Sequence, residues 1–204
     1  NPVQAYVYPA SASGGLFADV EELARFVSAE MLDPYAANQS VLDPNSIRQL
    51  QTPRVEIPGL FGFVADSYGL GHFTETLPDG RMAVWHGGQG HGWMTHFHAV
   101  PESGEGIVIL TNSQRSWPFI AGVLADWAKW IGAVSVKFSI ILKATKALKV
   151  FIGFVVLITL WQAVHLGRGI RCGIRKFAPL AAVGIPLRIT QSVLGFSVIA
   201  AVLW

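Results

Sequence analysis

The sequence predicts an α+β protein, an antiparallel sheet with helices packed on it, followed by transmembrane helices. Three observations carry that prediction. Within residues 82–112, apolar runs are joined by short glycine-containing turns, the pattern of an antiparallel meander. Charge divides along the chain: residues 1–126 hold all thirteen acidic residues and five basic ones, net −8, whereas residues 127–204 hold ten basic and no acidic residues, net +10. Residues 150–166 then run without a charge, long enough with their flanks to cross a bilayer.

The composition agrees with two dissimilar parts. At 51% hydrophobic residues and a mean hydropathy of +0.43, the chain is too apolar for an ordinary soluble domain. The basic charges punctuate long hydrophobic runs, which points to a membrane and away from nucleic acid. A single cysteine, Cys172, excludes an internal disulfide framework and a cysteine-based zinc site. The opening Asn1-Pro2-Val3-Gln4 has no secretory pattern and reads as the interior of a longer chain. The expected organisation is a globular part over residues 1–126, an amphipathic linker or interfacial helix over 127–149, and two transmembrane segments over 150–204.

In chain order, residues 1–18 read as extended and loop-like. Asp19 with Glu22 forms a capping-box pattern, and Val20, Leu23, Ala24, Phe26 and Val27 recur at helical spacing to about Met31. A loop over 33–44 precedes a short helix over 45–51, which Pro53 stops. Residues 59–64 and 68–73 read as strands, and Leu77-Pro78-Asp79-Gly80 as a turn. The strand that follows ends at His86, where four glycines in six residues (Gly87, Gly88, Gly90, Gly92) read as a turn. A strand over 93–100 and an almost wholly apolar one over 107–112 complete the meander, the latter suited to a central position covered on both faces. From Trp117 the pattern is helical, with Trp127, Trp130, Ile131, Val134, Phe138, Ile141 and Leu142 on one face, as in a helix at a bilayer surface. The first crossing at 150–166 is closed by Arg168, Arg171, Arg175 and Lys176, and a second begins at Phe177. The four positive charges of that short loop place it in the cytoplasm and the globular part outside.

Complete catalytic signatures are absent: there is no Gly-x-Ser-x-Gly, no His-Glu-x-x-His, no phosphate loop and no Ser-x-x-Lys in the 204 residues. His96 and His98 alternate on one strand and share a face, with His91 close in sequence, a pattern open to zinc or copper. No carboxylate sits at matching spacing, and histidines on a half-buried strand face are the commoner case. No metal or other cofactor is expected. His86 differs because it abuts consecutive glycines, so an imidazole and bare backbone N–H groups can meet a ligand there. A tight hairpin with nothing bound fits the same residues.

Ser13-Gly14-Gly15-Leu16-Phe17-Ala18-Asp19-Val20-Glu21-Glu22-Leu23-Ala24-Arg25-Phe26 resembles a segment of the serine beta-lactamase-related family, which includes class C beta-lactamases, penicillin-binding DD-peptidases and esterases. Residues 46–53, Tyr68-Gly69-Leu70-Gly71, His86-Gly87-Gly88 with Gly92, and residues 101–112 are similar to later blocks of that family, in the same order. The tail after Trp127 resembles membrane-anchoring extensions of some members. The resemblance implies an incomplete beta-lactamase/transpeptidase-like domain. It implies that His86-Gly87-Gly88 is the third family motif, Lys-Thr-Gly or His-x-Gly, beside the active site. His86 would then be the catalytic residue, helping to move a proton or hold a substrate carboxylate. Gly87 and Gly88 would let the substrate lie against the strand, and the Gln89 amide would supply half of an oxyanion hole. Gly87 departs from the commoner hydroxyl residue at its position.

The family's nucleophilic serine and its Tyr-x-Asn motif would lie upstream of this chain, since Tyr35-Ala36-Ala37-Asn38 has neither the spacing nor the place for the latter. The implied activity of the whole protein is acyl transfer through an acyl-serine, on an amide, lactam or ester, with this chain inactive by itself. The implied partners are a small-molecule or peptidoglycan-peptide substrate, the membrane and the missing N-terminal segment of the same domain. Nucleic acid is not among them. A catalytically silent, membrane-tethered binding or regulatory module of the same fold is the alternative, and a small membrane protein binding metal through residues 86–98 is the third reading.

Overall fold

Asp19 opens the first helix, α1 (Val20–Ala29), and forms the expected capping box: its carboxylate accepts the Glu22 N–H at 2.8 Å, and the Glu22 carboxylate accepts the Asp19 N–H at 3.0 Å. The computed structural model describes residues 14–31 and 42–174, together with Val193 and Gly195. The expected loop over 33–44 and the extended stretch over 1–18 therefore lie largely outside the described residues. Asp43 caps the second helix, α2 (Pro44–Gln51), accepting N–H bonds from Asn45 and Ser46.

Six strands follow in chain order: β1 (Val55–Glu56), β2 (Ser67–Tyr68), β3 (Phe73–Thr76), β4 (Met82–Gly90), β5 (Trp93–Val100) and β6 (Glu105–Thr111). They form one antiparallel sheet in the order β1-β2-β3-β4-β5-β6, the meander that the alternating runs predict. Two helices complete the described part, α3 (Trp117–Trp130) and α4 (Ile140–Arg171).

The sheet buries both faces. On one, Val84 and Ala99 pack against Val27 of α1 and Met31 just beyond it. On the other, Trp85, Met94, Val100 and Ile109 pack against Ile120, Leu124 and Trp127 of α3 and against Ala133, Val136 and Phe138. Strand alternation assigns each residue to one of these faces, so His86 shares a face with Val84 and Trp85 belongs to the other.

Several elements differ from the sequence expectation. Gly59–Phe63 is a 3-10 helix rather than a strand: Pro58 precedes it, Gly59 turns with φ of +66°, and the Val64 N–H closes on the Phe61 carbonyl at 2.9 Å. Of the expected strand over 68–73, Tyr68 ends β2, Phe73 begins β3, and the residues between them form a turn, with Gly71 at φ +92°. Gly87, Gly88 and Gly90 belong to β4, and only His91-Gly92 makes the reversal, with Gly92 at φ +84°. The apolar β6 is covered by a cluster on each face, and among the described residues it is the last strand of the sheet.

Residues 127–149 do not form a single amphipathic helix. α3 ends at Trp130, Gly132 turns with φ of +76°, Lys137–Ser139 is a 3-10 turn, and α4 begins at Ile140. Trp127, Ala133, Val136 and Phe138 are buried in the sheet–α3 core, where their apolar side chains leave water without any bilayer.

The chain divides into two compact units, residues 1–149 and 150–204. In the second, residues 150–171 continue α4, and Phe151, Phe154, Leu157, Trp161 and Val164 are all exposed. Its 32 residues make a rod of about 48 Å at 1.5 Å per residue, against a hydrocarbon core of roughly 30 Å. The helical stretch Lys137–Arg171 is thus long and apolar enough to cross a membrane. The second crossing, expected over 177–204, lies outside the described residues apart from Val193 and Gly195.

Candidate active site

β4 carries His86, Gly87, Gly88 and Gln89 in one continuous stretch, opposite Phe97, His96, Thr95 and Met94 of β5. The two sides of that stretch are unequal. Pairing with β5 continues to Gly90↔Trp93, but pairing with β3 stops at Phe73↔Trp85. From His86 to Gly90 the β3 side of the strand therefore has no strand partner among the described residues. Alternate N–H and C=O groups of such an edge are available to an extended ligand.

His86 stands where the unpaired edge begins. Its Nε2 lies 3.3 Å from the Tyr68 hydroxyl, its ring stacks on Phe73 at 5.5 Å, and the side chain is half-buried. Burial holds its pKa below the usual histidine value; the nearby His72 acts in the same direction, and a hydrogen bond to the Gly87 backbone opposes them. The imidazole is therefore biased toward its neutral form, which offers one donor and one acceptor. On the same side of the sheet His72 Nε2 lies 2.8 Å from Glu30 Oε2, and both residues are buried.

The two glycines beside His86 have different reasons to be there. A Cβ at Gly88 would lie 2.5 Å from Thr95 Oγ1, a distance that real side chains do not reach. A Cβ at Gly87 would lie 3.3 Å from the Thr95 carbonyl and 3.5 Å from His96 Nδ1, which a small adjustment accommodates. Gln89 is exposed.

His91 sits in the β4–β5 turn, away from the buried pair His96 and His98. His96 Nε2 lies 3.4 Å from His98 Nδ1, and His98 Nε2 lies 3.3 Å from Glu75 Oε1, an ion-pair distance without hydrogen-bond geometry. Glu75 also accepts the Lys137 N–H at 2.7 Å, so this buried chain joins β3, β5 and the turn before α4. Burial, then His98 and then His86, pushes the His96 pKa down to about 2. Among the described residues no group of three or more His, Cys, Asp or Glu side chains is arranged to hold a metal ion.

Beyond the end of β4, Trp93, Leu110, Thr111, Asn112, Ser116 and Phe119 line an open groove of about 460 Å³. It lies on the β5–β6 side of the end of β4, the side opposite the β3 edge: Trp93 pairs with Gly90, and the Gln114 amide donates to the Gly90 carbonyl. Volumes of this order suit small-molecule ligands.

The sequence singles out His86 and its glycines but not the residues the structure brings beside His86, Tyr68 and Phe73, nor the Glu30–His72 pair. Tyr68 belongs to the Tyr-Gly-Leu-Gly block, a signal that was present. Its reach past Phe73 to His86 depends on strand register, which no local pattern encodes.

A family model described as "Beta-lactamase" matches residues 1–125. No curated protein matches the chain. Among solved structures it is similar to the crystal structure of SurE, with 18% identity and a TM-score of 0.47 over 57% of this chain and 26% of that one. It is also similar to the crystal structure of SurE with D-Leu, with 19% identity and a TM-score of 0.45 over 57% of this chain and 27% of that one. The chain thus spans about a quarter of the length of these solved chains.

Proposed function

The chain belongs to the beta-lactamase family, and from that premise we propose that it is part of a membrane-anchored serine hydrolase acting on an amide, lactam or ester through an acyl-serine intermediate. The observation that supports this most directly is the unpaired edge of β4 beside His86. A substrate amide lying along that edge gains main-chain hydrogen bonds without asking the strand to move. An amide already aimed at a developing oxyanion is worth about 3 kcal/mol in the transition state. In this reading the Gln89 N–H fills that role, Gly87 and Gly88 keep the edge bare, and His86 moves a proton or holds a substrate carboxylate.

The nucleophile belongs to a segment upstream of Asn1, because no Ser-x-x-Lys occurs in the 204 residues. In this reading α4, uncharged over residues 150–166 and without a buried residue, serves as the anchor and holds the globular part at the outer face of the cell membrane. Substrates in keeping with this placement are small lactams, esters or peptidoglycan peptides.

The test is covalent labelling with a fluorescent penicillin and a fluorophosphonate. A protein that includes the upstream segment labels, and the 204-residue chain alone does not. Labelling of the short chain overturns the assignment of the nucleophile. Absence of labelling in the long one, with the fold intact, favours the catalytically silent module.

A further inference from the structure

Among the described residues Tyr68 makes the one side-chain hydrogen bond to His86, and three backbone hydrogen bonds hold the main chain around Tyr68. The Arg54 N–H donates to the Tyr68 carbonyl at 3.0 Å, the Gly69 N–H to the His72 carbonyl at 2.7 Å, and the Leu70 N–H to the Leu50 carbonyl at 2.8 Å. A Cβ at Gly69 would lie 2.5 Å from that Leu50 oxygen, so the turn that presents Tyr68 closes only on glycine. Phe73 packs edge-on against the Tyr68 ring at 4.7 Å and stacks on His86 at 5.5 Å, holding both rings from one side. Three aromatic rings on β2, β3 and β4 are thus locked together, with a phenol and an imidazole nitrogen 3.3 Å apart.

Hydrogen-bond chemistry then selects one arrangement. A neutral imidazole has one N–H and one bare nitrogen. A phenol is a better hydrogen-bond donor than acceptor, and the bare nitrogen of a neutral imidazole is the stronger acceptor of the two groups, so Nε2, 3.3 Å from the Tyr68 hydroxyl, is the nitrogen without a proton. The ring's single proton is then on Nδ1. We propose that Tyr68 is a positioning residue that donates its hydroxyl hydrogen to His86 Nε2 and so keeps the His86 proton on Nδ1. Resting on the acyl-transfer reading, the consequence is that the active edge presents His86 in one tautomer at every turnover.

The experiment reads the ring nitrogens directly, by nitrogen-15 NMR of the histidine-labelled 204-residue chain in detergent at pH 7.5, with His86 assigned by His86→Gln. The expected wild-type spectrum shows an unprotonated Nε2 and a protonated Nδ1. Tyr68→Phe, which keeps the ring and loses the hydroxyl, shifts the tautomer ratio at least threefold toward Nε2–H. A proton on Nε2 in the wild type overturns the proposal whether or not the variant folds, and so does an unchanged ratio in a folded Tyr68→Phe. The acyl-transfer reading fails separately. If His86→Ala retains full turnover in a protein with the upstream segment while Tyr68 still fixes the tautomer, the catalytic role falls and the Tyr68 assignment stands.

Discussion

Phe73 and Trp85 form the last rung between β3 and β4, their rings stacked at 4.4 Å, and His86 is the first residue beyond it. The rung ends the ladder with two large apolar side chains, one of which is almost completely buried. Trp85 is 3% exposed and lies against His96 at 5.3 Å and Phe138 at 5.6 Å as well. Its position makes the opening of the β4 edge a feature of the core and not of a flexible end.

Trp85→Ala is therefore expected to remove about 3–5 kcal/mol of stability, the usual cost of truncating a buried aromatic in a packed core. Urea denaturation of the chain in detergent, followed by circular dichroism, measures it. A loss under about 1 kcal/mol means that the rung does not hold the sheet together at this point.

Acid is expected to unfold the globular part through His96. In the unfolded chain this histidine takes a proton near pH 6.5, while in the folded chain it stays neutral down to about 2, chiefly because it is buried and then because His98 and His86 are near. Below pH 6.5 the unfolded state binds the extra proton, so stability falls as pH falls and is fully present only above that value. At one proton the loss approaches about 1.4 kcal/mol per pH unit, or about 2.7 kcal/mol between pH 7.5 and 4.5. His96→Leu removes this contribution. Urea midpoints of wild type and variant at the two pH values test it, and an equal acid shift in both sinks the assignment to His96.

The parts of this fold that the sequence discloses are those fixed locally. The Asp19–Glu22 box, the short helix over 45–51, the Leu77–Gly80 turn and the β4-β5-β6 meander each rest on neighbours within a few residues, and each is found in the structure. The errors come from tertiary context. Residues 59–64 have strand composition but curl because Gly59 takes a left-handed turn after Pro58. β6 is apolar enough for a central strand, and only the strand order shows that it stands last among the described strands. Trp127 and Phe138 are spaced like one face of a surface helix, yet the Gly132 turn folds both into a single core. At the site, His86 announced itself through its glycines. Its partners Tyr68 and Phe73 lie on other strands, and the Glu75–His98–His96 chain is assembled only by register.

Gly87 and Gly88 give the means to separate packing from substrate approach. Gly88→Ala places a methyl group 2.5 Å from Thr95 Oγ1, so it is expected to cost about 1–3 kcal/mol of stability as an overpacked contact. In Gly88→Ala/Thr95→Ala the clash is gone, and a double-mutant cycle should return most of that cost as coupling between the two positions. Gly87→Ala meets only contacts of 3.3 Å and 3.5 Å, and its effect on stability is expected to stay within about 0.5 kcal/mol. A loss of turnover in Gly87→Ala, measured in a protein that includes the upstream segment, then reports on the space that a substrate needs along the strand. If Gly87→Ala is stable and fully active while Gly88→Ala is unstable, both glycines answer to the fold alone, and the bare edge of β4 is not where the substrate lies.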